Sequence, residues 1–181
     1  MPFTVLDSPR LQLRALRLEQ AERLAQLGDD PLIVAFTANM PSPYTPPAAG
    51  EFIERSALAM ERGENLVFGV HLFAGELIGV INLRPILRHH SGHLGYWMGA
   101  PFRGRGYMTE AVERVMQHGF ETLNLQRIHT ACLAENLASA KVLENAGLKL
   151  EGRSQQAFLK DGVFHDLLQF GAVRDARPGR K

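Results

Sequence analysis

One cysteine, Cys132, in 181 residues excludes an internal disulfide framework and a multi-cysteine zinc site, and fits a reducing compartment. Set in an apolar strand-like run, it reads as a small buried hydrophobe. Long hydrophobic runs are missing as well. None approaches the roughly 18 apolar residues of a membrane-spanning helix, and residues 1–15 carry polar and charged side chains where a signal peptide would have an apolar core. An excess of either charge is also lacking: 20 basic against 19 acidic residues leave a formal net charge of +1. No global field draws the chain to nucleic acid or a membrane, so any basic site must be local. These absences leave a cytoplasmic globular protein. Hydrophobic content of 45% and charged content of 22% agree with that class. The length suits one domain, here taken as residues 1–173, followed by a solvated tail, 174–181, with four basic side chains.

Periodicity supplies the elements. Leu11, Leu13 and Leu16 alternate with polar residues as in a half-buried strand, and residues 18–28 keep helical spacing until Asp29-Asp30-Pro31 breaks it. Four prolines between residues 40 and 47 predict a stiff extended loop. Ala49, Phe52, Ile53, Ser56, Ala57 and Met60 then form a helical stripe closed by Gly63. Residues 66–73 and 76–83 read as a hairpin, and 90–98 as a third strand. Met108, Ala111, Val112, Val115, Met116, Gly119, Phe120 and Leu123 match the helical template at every step. A strand (127–133), a helix (136–146, stopped by Gly147) and a long hairpin (148–159 and 163–173) complete the order β-α-α-β-β-β-α-β-α-β-β. Helix and strand alternating in the second half predict an α/β (mixed α+β) fold, a mixed sheet with helices on its faces.

The densest information lies where a strand meets the surest helix, at Pro101-Phe102-Arg103-Gly104-Arg105-Gly106-Tyr107-Met108-Thr109. Glycines allow a ligand close to the backbone, the first helical turn offers unpaired N–H groups, and the helix dipole favours an anion there. Arg103 and Arg105 add formal charge. The pattern suits a phosphate or pyrophosphate, but three common signatures fail. Thr109 stands where a dinucleotide fingerprint needs its third glycine, no Gly-Lys-Ser/Thr follows, and the partner motifs of a kinase are absent.

Arg103-Gly104-Arg105-Gly106 at a strand-to-helix junction, preceded by Leu94-Gly95-Tyr96-Trp97-Met98, is followed by the block from Asn136 to Gly147-Leu148. In these segments the chain resembles the GNAT family of acetyl-CoA-dependent N-acetyltransferases, and within it the RimJ/RimL branch that acetylates ribosomal-protein N-termini. Leu150-Glu151-Gly152, Asp161-Gly162 and His165-Asp166 extend the likeness over nearly the whole chain. The resemblance implies a seven-stranded mixed sheet splayed into a V between its fourth and fifth strands, with coenzyme A in the gap. It implies a pyrophosphate on the N–H groups of Arg103, Gly104, Arg105, Gly106, Tyr107, Met108 and Thr109, and pantetheine along the backbone of Tyr96, Trp97 and Met98. Asn136 would hydrogen-bond the coenzyme and Ser139 would sit near its sulfur. Met108 departs from the small residue usual at that point of the loop.

Acetyl transfer needs a neutral amine, a polarised thioester and a proton for the leaving thiolate. An α-amino group with a pKa of about 7.7–8.0 gives up only about 1–1.4 kcal/mol to be neutral at pH 7, against roughly 4.6 kcal/mol for lysine. A weak base therefore suffices for an N-terminus. Relatives carry a glutamate before the last hairpin turn, where this chain has Ala157, and many have an acid where this chain has His93. His93 is accordingly the expected base, Ser139 the expected proton donor, and Tyr96 its reserve. Asp166 and His165 line the acceptor side or form a cross-strand structural pair, and Trp97 reads as core or coenzyme wall. His89, His90 and His93 lack flanking carboxylates or cysteine at ligand spacing, so no metal is expected. The acceptor is a protein N-terminus, with a small amine (antibiotic or polyamine) as the alternative, and a non-catalytic acyl-CoA-binding module stands as a reading of another class. A monomer or homodimer is compatible with all three.

Overall fold

The computed structural model describes residues 4–174, so of the basic tail only Arg174 falls within the described residues. Strands β1 (Leu6–Asp7), β2 (Leu11–Arg14), β3 (Leu66–Leu72), β4 (Leu77–Ile86), β5 (Ser91–Met98), β6 (Arg127–Leu133), β7 (Lys149–Lys160) and β8 (Val163–Val173) form one sheet. Its spatial order is β1-β2-β3-β4-β5-β6-β8-β7. The helices are α1 (Ala21–Gly28), α2 (Pro31–Phe36), α3 (Pro46–Glu61), α4 (Tyr107–Glu121) and α5 (Leu137–Asn145). Among the described residues the sheet has eight strands, not seven, because the two-residue β1 is too short to leave a periodic signal.

Proline accounts for two further departures. The segment Asp29-Asp30-Pro31 ends α1 but also begins α2: Pro31 takes the first helical position, and Asp30 Oδ1 accepts from the N–H groups of Leu32 and Ile33 at 2.8 and 3.4 Å. The loop expected through residue 47 ends early, since Thr45 caps α3 and Pro46 and Pro47 open it. Proline lacks only an N–H that the first turn leaves unpaired anyway, so the same residue can break one helix and start the next.

Strand alternation sorts the site residues onto two faces. Ile81 pairs with Tyr96 and Leu83 with Leu94, whereas Asn82 pairs with Gly95 and Arg84 with His93. The first set looks toward α4 and α5. Gly119 of α4 comes so near that a Cβ there would lie 2.7 Å from Ile128 and 3.1 Å from Leu83. Val112 and Val115 on that helix are fully buried, worth about 1.5–3 kcal/mol each. The second set looks toward α1 and α3.

All neighbouring strands are antiparallel except β5 and β6. That parallel pair joins only at Ser91–Arg127, Gly92–Ile128 and His93–His129. From Leu94 and Thr130 onward the two strands part, and the main-chain groups on that edge of β5 face a gap rather than a partner strand. The split falls between the two strands where the V was expected.

Candidate active site

At the mouth of the gap, β5 runs through a short 3-10 turn (Ala100–Phe102) into the loop that starts α4. Gly104 and Gly106 have φ of +73° and +75°, left-handed conformations that side chains with a Cβ rarely adopt. Gly106 caps α4 without any side-chain hydrogen bond. From Gly104 to Thr109 no main-chain N–H finds an acceptor among the described residues, so the loop and first turn present a row of free donors with the helix dipole behind them.

The two loop arginines are used differently. Arg103 sends Nε to the carbonyl of Met98 at 2.9 Å and Nη2 to Asp30 Oδ2 at 3.0 Å, so its guanidinium holds the loop rather than facing the free donors. Arg105 is exposed and offers its carbonyl to Arg10 Nη1 at 3.0 Å. Arg10, which sequence reading did not single out, also pairs with Glu110 Oε2 at 2.6 Å and lies 4.8 Å from the centroid of the Tyr107 ring. Burial alone would raise the Glu110 carboxyl. Hydrogen bonds from Ser8 and from the Arg10 main chain and guanidinium, with the Arg10 charge, outweigh it and hold the group below its ordinary range. Met108 points into the core, which accounts for a large residue in the loop: only its main chain belongs to the row of donors.

Deeper in the gap, on the α4/α5 face, the Tyr96 hydroxyl lies 2.8 Å from Ser139 Oγ and 3.2 Å from the Ser139 carbonyl. Asn136 Oδ1 accepts from the Ser139 N–H at 3.0 Å and so caps α5, which leaves the Asn136 amide nitrogen free to donate. Burial lifts the Tyr96 hydroxyl far above its usual range, against a smaller opposing effect of the Ser139 hydrogen bond. Burial likewise raises the Cys132 thiol, on the same face of β6.

His93 lies on the other face. Its ring meets that of His129 edge-on, centroids 5.4 Å apart at 80°. Burial, then the His129 and Arg84 charges, push it below the ordinary histidine value. Trp97, four residues along β5, is half-buried on the same face. Asn82 Nδ2 bonds Asn65 Oδ1 at 3.0 Å beside Gly95, where a Cβ would sit 2.6 Å from Asn82 Oδ1. Over this face Lys160, at the tip of the β7–β8 hairpin, donates from Nζ to the carbonyl of Thr37 at 2.7 Å. Asp166 is occupied within the hairpin by Arg153 at 2.7 Å and the Gln156 N–H at 2.8 Å, while His165 lies 3.5 Å from Glu135. Among the described residues no three His, Cys, Asp or Glu side chains converge at metal-ligand spacing.

The sheet is thus split at its parallel pair β5–β6, with free amides at the mouth and polar groups on both faces. The chain belongs to the acetyltransferase (GNAT) domain family, whose model matches residues 10–149. It is similar to a probable N-acetyltransferase, YjcK, of Bacillus subtilis (strain 168), 34% identical over 59% of this chain and 61% of the relative. It is also similar to the [ribosomal protein uS5]-alanine N-acetyltransferase of Escherichia coli (strain K12), 32% identical over 58% of this chain and 56% of the relative. The chain thus spans about three-fifths of the length of these curated relatives. Among solved structures, Mycobacterium smegmatis RimJ in complex with CoA-disulfide superposes with a TM-score of 0.84 at 22% identity, over 98% of this chain and 89% of that one.

Proposed function

We infer that the protein transfers the acetyl group of acetyl-CoA to an α-amino group, that of a polypeptide N-terminus such as a ribosomal protein's. The observation that carries this reading is the split between β5 and β6. Free loop amides lie at its mouth, a half-buried hydroxyl pair on one face and a half-buried imidazole, its pKa lowered by burial, on the other. Acetyl-CoA supplies the activated acyl group.

The chain's own residues divide the remaining work. The N–H groups of residues 104–109 receive the pyrophosphate, and the open edge of β5 along Tyr96, Trp97 and Met98 pairs with the amide-bearing arm. Asn136, through its free amide nitrogen, donates to that arm. The amine enters from the α1/α3 face; as its C–N bond forms, His93 takes its proton directly or through one water. On the opposite face the C–S bond breaks and the sulfur takes a proton from Ser139. In this reading Tyr96 is the donor in its 2.8 Å contact with Ser139 Oγ, which turns the serine proton outward for that transfer, and its own raised pKa keeps it protonated.

An α-amino acceptor suits this site better than lysine. Among the described residues no carboxylate pairs with His93, and its cross-strand neighbour Arg84 carries a positive charge, so a protonated lysine amine would meet like charge. Release of free coenzyme with short peptides beginning in Ala or Ser, compared with small amines, tests the reading. Peptide turnover supports it. Turnover of small amines alone, or tight coenzyme binding without turnover of any amine, overturns it.

A further inference from the structure

Arg84, His93 and His129 lie side by side across β4, β5 and β6 on the α1/α3 face, held there by the pairings Arg84–His93 and His93–His129. Arg84 is exposed and has no hydrogen bond or ion pair among the described residues. The carboxylate nearest the row, Glu151, is taken by Arg127 in a two-point pair, Nη1 reaching it at 2.7 Å. Farther along the same face Glu135 faces His165 at 3.5 Å. The amide pair Asn65–Asn82 beside Gly95 carries no charge. Lys160 above the face donates to a main-chain carbonyl, and its charge is matched by no carboxylate among the described residues. The surface that an amine must cross to reach the gap therefore holds two unpaired permanent cations and a pair of imidazoles, with its nearby acids already engaged.

A cation left unpaired at a binding surface gains most from a ligand that brings the missing anion. We propose that Arg84, with His129 beside it, recognises a carboxylate on the acceptor, and that the preferred acceptor is a peptide with Asp or Glu at its second or third residue. This rests on the α-amino reading above and deepens it. One residue of extended chain spans about 3.3–3.6 Å, so a side chain one or two residues beyond the amine can reach Arg84 while the amine lies at His93, its direct cross-strand neighbour. A polyamine or aminoglycoside would place several positive charges on the same surface and be disfavoured.

The test is a set of hexapeptides with a common first residue, Ala or Ser, and with Asp/Glu, Gly/Ser or Lys/Arg at positions two and three, assayed alongside spermidine. Acidic peptides are expected to exceed neutral ones about fivefold in kcat/KM, an exposed ion pair of about 1 kcal/mol, with the difference in KM. Basic peptides should fall below neutral ones, and 0.5 M salt should shrink the spread. Arg84→Glu should invert the order, with an unchanged coenzyme Kd showing that the variant is folded. Equal rates across the peptides, or an acidic preference that survives in Arg84→Glu, overturn the inference alone. Turnover of spermidine and of no peptide overturns it together with the α-amino reading.

Discussion

Asp30 and Arg103 join the two halves of the candidate site through one carboxylate. Asp30 Oδ1 caps α2, which leads into the acceptor-side segment, while Asp30 Oδ2 holds the guanidinium of Arg103 in the glycine loop at 3.0 Å. The pair is half-sheltered, with side-chain exposures of 33% for Arg103 and 17% for Asp30, so water screens it less than a surface pair. Asp30→Ala should cost about 1–2 kcal/mol in denaturant unfolding and raise the coenzyme Kd about fivefold as the loop loosens. Asp30→Asn keeps the cap and loses the charge. It should recover most of the stability yet still bind coenzyme more weakly. Equal coenzyme affinity in all three proteins would show that the loop stands without this brace.

Gly106→Val tests the row of free amides. At φ +75° a β-branched residue is strained, and its Cβ would lie 3.4 Å from Arg10 Nη2. The strain is about 1–2 kcal/mol, tolerable for a domain of this size, but relieving it rotates the N–H groups at the helix start. Calorimetric titration with coenzyme A should show a Kd at least tenfold weaker while far-ultraviolet circular dichroism keeps its native form. A native Kd would place the diphosphate somewhere other than this loop.

His71 gives a pH dependence independent of catalysis. It is fully buried, with Nε2 2.8 Å from Gln20 Nε2 and Nδ1 2.9 Å from the Gly69 carbonyl. Burial first, then Arg14, lower its pKa to about 4, against a partial rise from the bond to Gly69. A folded-state pKa below the unfolded value of about 6.5 means that the unfolded chain takes up the proton first. The contribution is therefore fully present above pH 6.5 and is lost as pH falls toward 4, by about 3 kcal/mol in total. Urea unfolding at half-unit steps should show this slope in the wild type and a shallower one in His71→Leu. Parallel slopes would assign the acid sensitivity to other groups.

Local patterns were legible and long-range contacts were not. The spacing from Met108 to Leu123 foretold α4 because one helix face repeats against the core, and Gly104 and Gly106 marked the loop because their positive φ requires glycine. The turns of both hairpins were visible for similar reasons. Pro31, Pro46 and Pro47 misled because proline punctuates both ends of a helix, and only a cap such as Asp30 or Thr45 decides which. Arg10 with Glu110 and Asp30 with Arg103 lie 100 and 73 residues apart, so no spacing rule joins them. His129 escaped notice because its nearness to His93 depends on the register of two parallel strands.

The two faces of β5 predict distinct kinetic signatures for His93 and the Tyr96–Ser139 pair. An acceptor amine of pKa about 7.7–8.0 must lose its proton to react, so log kcat/KM falls with slope one below that value. His93, held below its ordinary value by burial and then by the His129 and Arg84 charges, protonates only at lower pH and steepens the slope to two at a second break below the ordinary histidine range. In His93→Ala the second break should vanish, with a loss of about 10²–10⁴-fold in kcat/KM near neutrality. Tyr96→Phe keeps the ring and removes the donor to Ser139; it should lower kcat while preserving both breaks, because its hydroxyl stays protonated throughout the range. An unchanged profile in His93→Ala would transfer the base's role elsewhere. Loss of the lower break in Tyr96→Phe instead would mean that the hydroxyl pair, and not the imidazole, titrates in the rate.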